Sequence, residues 1–121
     1  MTYTIKELST MVDLSAYTIR YYEKIGLLPK AERNESRYRI YTVKDVERLR
    51  LISCLKKTGM SLDEIKPYLD LDIDGDISDY PELIEKAINH KEKVIKQIED
   101  LQQVVYFIEQ KLEEKTFHRR A

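Results

Sequence analysis

Ten positions in the last third of the chain recur with alternating spacings of three and four: Ile84, Ala87, Lys91, Val94, Ile98, Leu101, Val105, Ile108, Leu112 and Lys115. Eight of them are apolar, which makes an a/d seam sustained over more than four heptads. A continuous helix over 84–115 is about 48 Å long at 1.5 Å per residue. In a chain of 121 residues the upstream segments are short and must cover one another. An uncovered apolar stripe of that length is unstable and sticky in water, so the seam predicts a homodimer. The alternative, in which the helix folds back on its own N-terminal part, suits such regular heptads less well.

The upstream residues read as short capped helices. Thr4 with Glu7 three residues later forms a capping box ahead of Ile5, Leu8, Met11 and Val12. Asp13-Leu14-Ser15 then makes a turn, and a second helix over 16–25 ends at Gly26. Residues 30–36 form a loop, and Tyr38-Arg39-Ile40-Tyr41 alternates like the returning strand of a small hairpin. On such a strand Arg37 and Arg39 project to the same side. Thr42 with Asp45, and Ser61 with Glu64, open a third and a fourth helix.

The overall charge is −1, but it is unevenly spread. Residues 16–50 hold nine lysines and arginines against five acids, while the remaining positions hold twelve against seventeen. A local positive region on a near-neutral chain suits a protein that touches phosphates with one end only. The single cysteine excludes an intrachain disulfide and suits a reducing cytoplasm. No secretory signal is visible, and no stretch approaches the roughly 18 apolar residues of a membrane span, so the expected location is cytoplasmic.

The basic region has the chemistry of a groove-entering helix with a flanking wing. Ser15 and Thr18 place short hydrogen-bonding groups at a helix N-terminus, where the dipole favours phosphate. Tyr17, Arg20, Tyr21 and Lys24 follow at i, i+3, i+4 and i+7, mixing cations with phenols that donate to phosphates. Tyr22, beside Ile19 and Ile25, reads better as core. Arg33, Arg37, Tyr38 and Arg39 would grip the flanking backbone from the hairpin. There is no phosphate-cradling glycine loop, nucleophile elbow or paired His with carboxylates, so neither an enzyme nor a cofactor is expected.

These blocks together resemble the MerR family of bacterial transcription regulators. The matching segments are Tyr3 to Leu8, Thr18 to Leu28 (Thr-Ile-Arg-Tyr-Tyr-Glu-Lys-Ile-Gly-Leu-Leu), Arg37 to Tyr41, and Leu49 to Ile65. The resemblance implies a mainly α fold: a winged helix-turn-helix DNA-binding domain over 1–70, then an acidic linker over 71–80. A dimerisation helix over 81–115 would follow, paired as an antiparallel coiled coil, with a tail over 116–121. It further implies that such a dimer binds a pseudo-palindromic promoter in double-stranded DNA. It would bend and untwist the spacer, presenting to RNA polymerase two elements otherwise too far apart. A non-sensing architectural or repressor protein on the same fold is the alternative.

Metal-sensing relatives carry cysteines around the dimerisation helix; here Cys54 stands alone on the third helix, so no metal is expected. Drug-binding relatives carry a long ligand domain after the coiled coil, and the sequence leads us to expect none here. Cys54 resembles the lone cysteine of short family members that respond to aldehydes and other electrophiles in stress responses. Arg50 and Lys57 share its helical face and would favour the thiolate, although Glu47 opposes them. The other reading of Cys54 is a small buried filler. Asp70 to Ser78 matches the first nine positions of a calcium loop, but Pro81 stands where the twelfth-position Glu is needed, so the segment reads as a solvated linker.

Overall fold

The first helix begins where the sequence places its cap. Thr4 Oγ1 accepts from Glu7 N–H, and Glu7 Oε1 accepts from Thr4 N–H, 3.1 and 2.9 Å. In the computed structural model, which describes residues 1–71 and 76–118, the chain divides into two compact units between Asp76 and Ile77.

The first unit runs β1 (Thr2–Tyr3), α1 (Ile5–Val12), α2 (Ala16–Lys24), β2 (Glu32–Arg33), β3 (Arg39–Thr42), α3 (Val43–Lys56) and α4 (Leu62–Leu69). Asp13, in the left-handed region at φ 54°, turns the chain between α1 and α2, and Ser15 caps α2 by accepting from Thr18 N–H. Gly26, at φ 84°, closes α2. Leu27 N–H reaches Tyr22 C=O and Gly26 N–H reaches Glu23 C=O, which satisfies carbonyls the helix leaves open. The same arrangement recurs at Gly59, φ 95°, after α3. Both closures tuck an apolar residue, Leu27 and Met60, into the interior.

The three strands form an antiparallel sheet in the order β1-β3-β2, with Tyr3 opposite Tyr41 and Arg33 opposite Arg39. The sequence predicts the hairpin and its returning strand β3 but reads 30–36 as loop, where the structure forms β2, and it does not show β1; two residues are too few to show alternation. α1 packs on α2, α3 and β3, and α3 also packs on α4. Leu8, Ile19, Leu49, Ile52 and Ile65 are fully enclosed at the centre. Each such side chain contributes about 1.5–3 kcal/mol relative to exposure. Tyr22 is buried there, as its apolar neighbours predict. Asp45 is the one buried acid among the described residues, and it is satisfied because its Oδ2 accepts from Thr42 N–H at 2.8 Å. Pro67 lies inside α4, where it forgoes one helical hydrogen bond, while Ile65 and Leu69 on either side hold the helix to the core.

In the second unit a single 3-10 turn, Ile77–Asp79, leads into α5 (Pro81–Glu114). Pro81 occupies the first helical turn, where a missing N–H costs nothing. Lys115, the last position of the expected seam, instead lies past the helix in a left-handed cap at φ 59°. No residue of α5 is buried. Ile98, Leu101, Val105, Ile108 and Leu112 of the seam are all exposed, and so are Ile88, Ile95, Val104, Tyr106 and Phe107 beside it. The heptad reading had left out these flanking residues. Four of the nine positions of the calcium-loop-like segment, 72–75, lie outside the described residues. Among the described residues no helix is long and apolar enough to cross a membrane.

Candidate nucleic-acid interface

α2 and the β2–β3 hairpin enclose an open groove of about 360 Å³ lined by Thr4, Ile5, Arg20, Arg33, Asn34, Arg37, Tyr38 and Arg39. Four guanidiniums and no carboxylate line it. An arginine stays charged at any physiological pH and presents several donors in a planar fork, so such a groove is built for oxyanions carried on a backbone. Five residues expected to touch DNA therefore meet in one place although they are drawn from two elements.

The other expected contacts flank the groove. Tyr17 is 78% exposed and free of packing duties, whereas Tyr21 is half-exposed and tilts against Tyr22 with ring centroids 6.1 Å apart. Lys24 is exposed in the last turn of α2. Ser15 and Thr18 share a hydrogen bond between their hydroxyls, 2.9 Å, so part of their capacity is spent on the helix cap. Burial pushes the Tyr22 phenol above its ordinary pKa, and Tyr21 adds to the rise, as befits a core residue.

Two features of the groove differ from the sequence reading. Arg37 does not lie on the strand, so strand alternation is not what brings it beside Arg39 at the groove. It sits in the turn between β2 and β3 with φ 66°, where the two-residue alternation no longer applies. Arg39 stays on β3 and leans toward the body of the unit, its Nε 3.9 Å from Glu23 Oε2.

Glu23 was missed altogether by sequence reasoning, and it ties the two halves of the groove together. Its Oε1 accepts from Ala31 N–H at 2.9 Å, and its Oε2 accepts from the Tyr41 hydroxyl at 3.4 Å and faces Arg39. One carboxylate thus links α2 to the loop and to β3. Burial pushes the Tyr41 phenol above its ordinary value, and neighbouring Glu23 adds to the rise while Arg39 opposes it. The phenol therefore keeps the proton that it donates to Glu23. Thr4, Ile5 and Asn34 were missed as lining residues as well. Of these only Asn34 carried a local signal, as a turn-forming side chain in Asn-Glu-Ser-Arg.

Cys54 lies exposed on α3 in the single chain. Among the described residues no group of three His, Cys, Asp or Glu is placed to hold a metal.

Comparison with known proteins agrees with this geometry. Residues 3–72 match the family described as MerR HTH family regulatory protein, and residues 46–106 match the one described as MerR, DNA binding. A protein of Haemophilus influenzae described as an uncharacterized HTH-type transcriptional regulator is 40% identical over 121 residues, the whole of this chain and 87% of its own length. The mercuric resistance operon regulatory protein of Bacillus cereus is 35% identical over 104 residues, 86% of this chain and 78% of that one. Among solved structures, HiNmlR, described as a MerR family regulator lacking the sensor domain and bound to promoter DNA, superposes with a TM-score of 0.81. It is 40% identical, with 93% of this chain and 85% of that one covered. A MerR family transcriptional regulator from Bacillus thuringiensis gives a TM-score of 0.75 at 33% identity, covering 94% of this chain and 99% of its own. With residues 3–72 spanning more than half of its length, the chain belongs to the MerR family of helix-turn-helix regulatory proteins.

Proposed function

We propose that this chain is a dimeric transcription regulator that holds double-stranded promoter DNA with one four-arginine groove per protomer. The observation that carries the reading is the groove itself, in which Arg20 of α2 and Arg33, Arg37 and Arg39 of the hairpin gather without a lining carboxylate. A helix N-terminus enters the major groove while a basic wing grips the adjoining backbone. In this reading residues 1–70 bind DNA, 71–80 link, and 81–115 pair with a second copy through the exposed seam. Ser15, Tyr17, Thr18, Tyr21, Lys24 and Tyr38 join the arginines as contacts. The family likeness and the neighbour bound to promoter DNA support it.

Because most of these groups meet phosphates rather than base edges, activation would come from deforming the duplex. Two wings pulling on backbone bend and untwist the spacer so that RNA polymerase meets both promoter elements on one face. Footprinting on the DNA upstream of its own gene tests this. The expected pattern is a two-fold protected site with enhanced cleavage at its centre; protection scattered without symmetry would favour the architectural alternative. Arg20→Ala is expected to weaken binding to all duplexes alike and to lower the slope of log K against log salt by about one per groove. An unchanged slope would remove Arg20 from the interface.

Cys54 is the proposed effector site, supported by its exposure on α3. An aldehyde would react by addition of the thiol across the carbonyl, sulfur to carbon and proton to oxygen. Cys54→Ser is expected to abolish promoter induction by formaldehyde or methylglyoxal in a reporter strain while leaving DNA affinity intact. Induction equal to the parent would exclude the thiol as sensor.

A further inference from the structure

The tip of the wing reverses the chain in a turn held by two backbone hydrogen bonds and by the side chains of Asn34 and Arg33. Asn34 N–H donates to Tyr38 C=O and Arg37 N–H donates to Asn34 C=O, both at 2.9 Å. Asn34 Oδ1 accepts from Ser36 N–H and from Tyr38 N–H, both at 3.0 Å. Arg33 Nη1 closes the loop on Arg37 C=O at 2.8 Å. The three-residue hairpin loop of this kind requires its last residue in the left-handed region, a place that glycine fills without strain and an arginine fills at a cost. Here that residue is Arg37, at φ 66°.

The turn's hydrogen bonds repay the Arg37 backbone, but a glycine there would make them without the strain, and the fold makes no evident use of the side chain. The Arg37 side chain is exposed, and no ion pair to it is found among the described residues. A strained, exposed cation at the rim of a basic groove points to a ligand outside the chain. We propose that Arg37 is kept in the left-handed position to hold its guanidinium on a DNA backbone phosphate, and that Asn34 is the positioning residue that makes this conformation tenable. The proposal rests on the DNA-binding reading and refines it. The left-handed backbone takes Arg37 out of the strand's alternation while it still lines the groove, and the Asn34 carboxamide offsets the strain that a glycine would have avoided. Stability and affinity are then traded at one residue, and substitutions there move them in opposite directions.

The test uses the full chain, thermal melting, and anisotropy with a labelled duplex taken from upstream of its own gene, between about 50 and 200 mM salt. Arg37→Gly is expected to melt at or above the parent temperature, yet to bind at least about tenfold more weakly with a shallower salt slope. Asn34→Ala is expected to lose roughly fivefold in affinity in the parent and under about twofold in the Arg37→Gly background, because its effect runs through Arg37. Arg37→Gly that keeps the parent affinity and slope, or that melts lower, would overturn the role of Arg37. Equal losses from Asn34→Ala in both backgrounds would overturn the role of Asn34. A parent chain with no salt-dependent binding would instead remove the DNA-binding reading on which both stand.

Discussion

Ile98→Asp combined with Leu101→Asp is expected to turn the proposed dimer into monomers and to collapse its hold on DNA. Both side chains lie open on α5 within a single chain, so the substitution costs the protomer little directly. In the proposed paired seam the same positions would face apolar residues of a second copy. Two apolar side chains lost from each protomer, at about 1.5–3 kcal/mol each when fully buried, become four by symmetry. The loss amounts to at least about four orders of magnitude in dimer affinity, before any cost of desolvating the new carboxylates is counted. Each monomer then holds a single groove, and the avidity of two linked sites, roughly 10²- to 10⁴-fold, disappears. Sedimentation velocity reads the first effect and a promoter-DNA titration the second. A variant that still sediments as a dimer would show that the seam of α5 is not the contact between copies.

Leu49→Ala is the second large effect, and it acts on folding rather than assembly. Leu49 is fully enclosed on α3, the helix that packs against α1, α4 and β3. Truncation leaves a void where several elements converge, so the surroundings cannot collapse onto it without shifting a helix. Such changes cost about 2–5 kcal/mol, a large share of the 5–15 kcal/mol typical of a whole domain. For a unit of some seventy residues this lowers the melting temperature by roughly 10–30 °C. Thermal melts followed by circular dichroism measure it directly. The groove residues lie at the surface, so DNA affinity well below the new transition should stay close to that of the parent. A drop under about 1 kcal/mol would mean that the interior repacks around position 49 far more freely than its enclosure implies.

What was readable beforehand depended on interaction distance along the chain. The capping pairs Thr4–Glu7 and Ser61–Glu64 involve residues three apart and were placed correctly. The core position of Tyr22 followed from helical spacing alone. By contrast, β1 pairs with β3 across some forty residues, and two-residue strands carry no pattern of their own. Strand alternation does not extend to Arg37, which lies in a turn whose left-handed geometry only the hydrogen bonds of Asn34 reveal. Glu23 looked like one more surface acid in a charged helix. Only the return of the chain at Ala31, Arg39 and Tyr41 makes it a hub.

By itself, then, the sequence determined the elements with a short period or a local cap: the helices of the first unit, the basic segment between residues 16 and 50, and the heptad seam of α5. Each is specified by neighbours a few residues apart, so each is written into the order of residues. The tertiary structure alone decided that Arg20, Arg33, Arg37 and Arg39 open onto a single groove, and that the wing reaches it through a strained arginine. It also decided which carboxylate braces the two sides. Those facts depend on where the chain comes back after a turn, and a periodic pattern holds no record of that return.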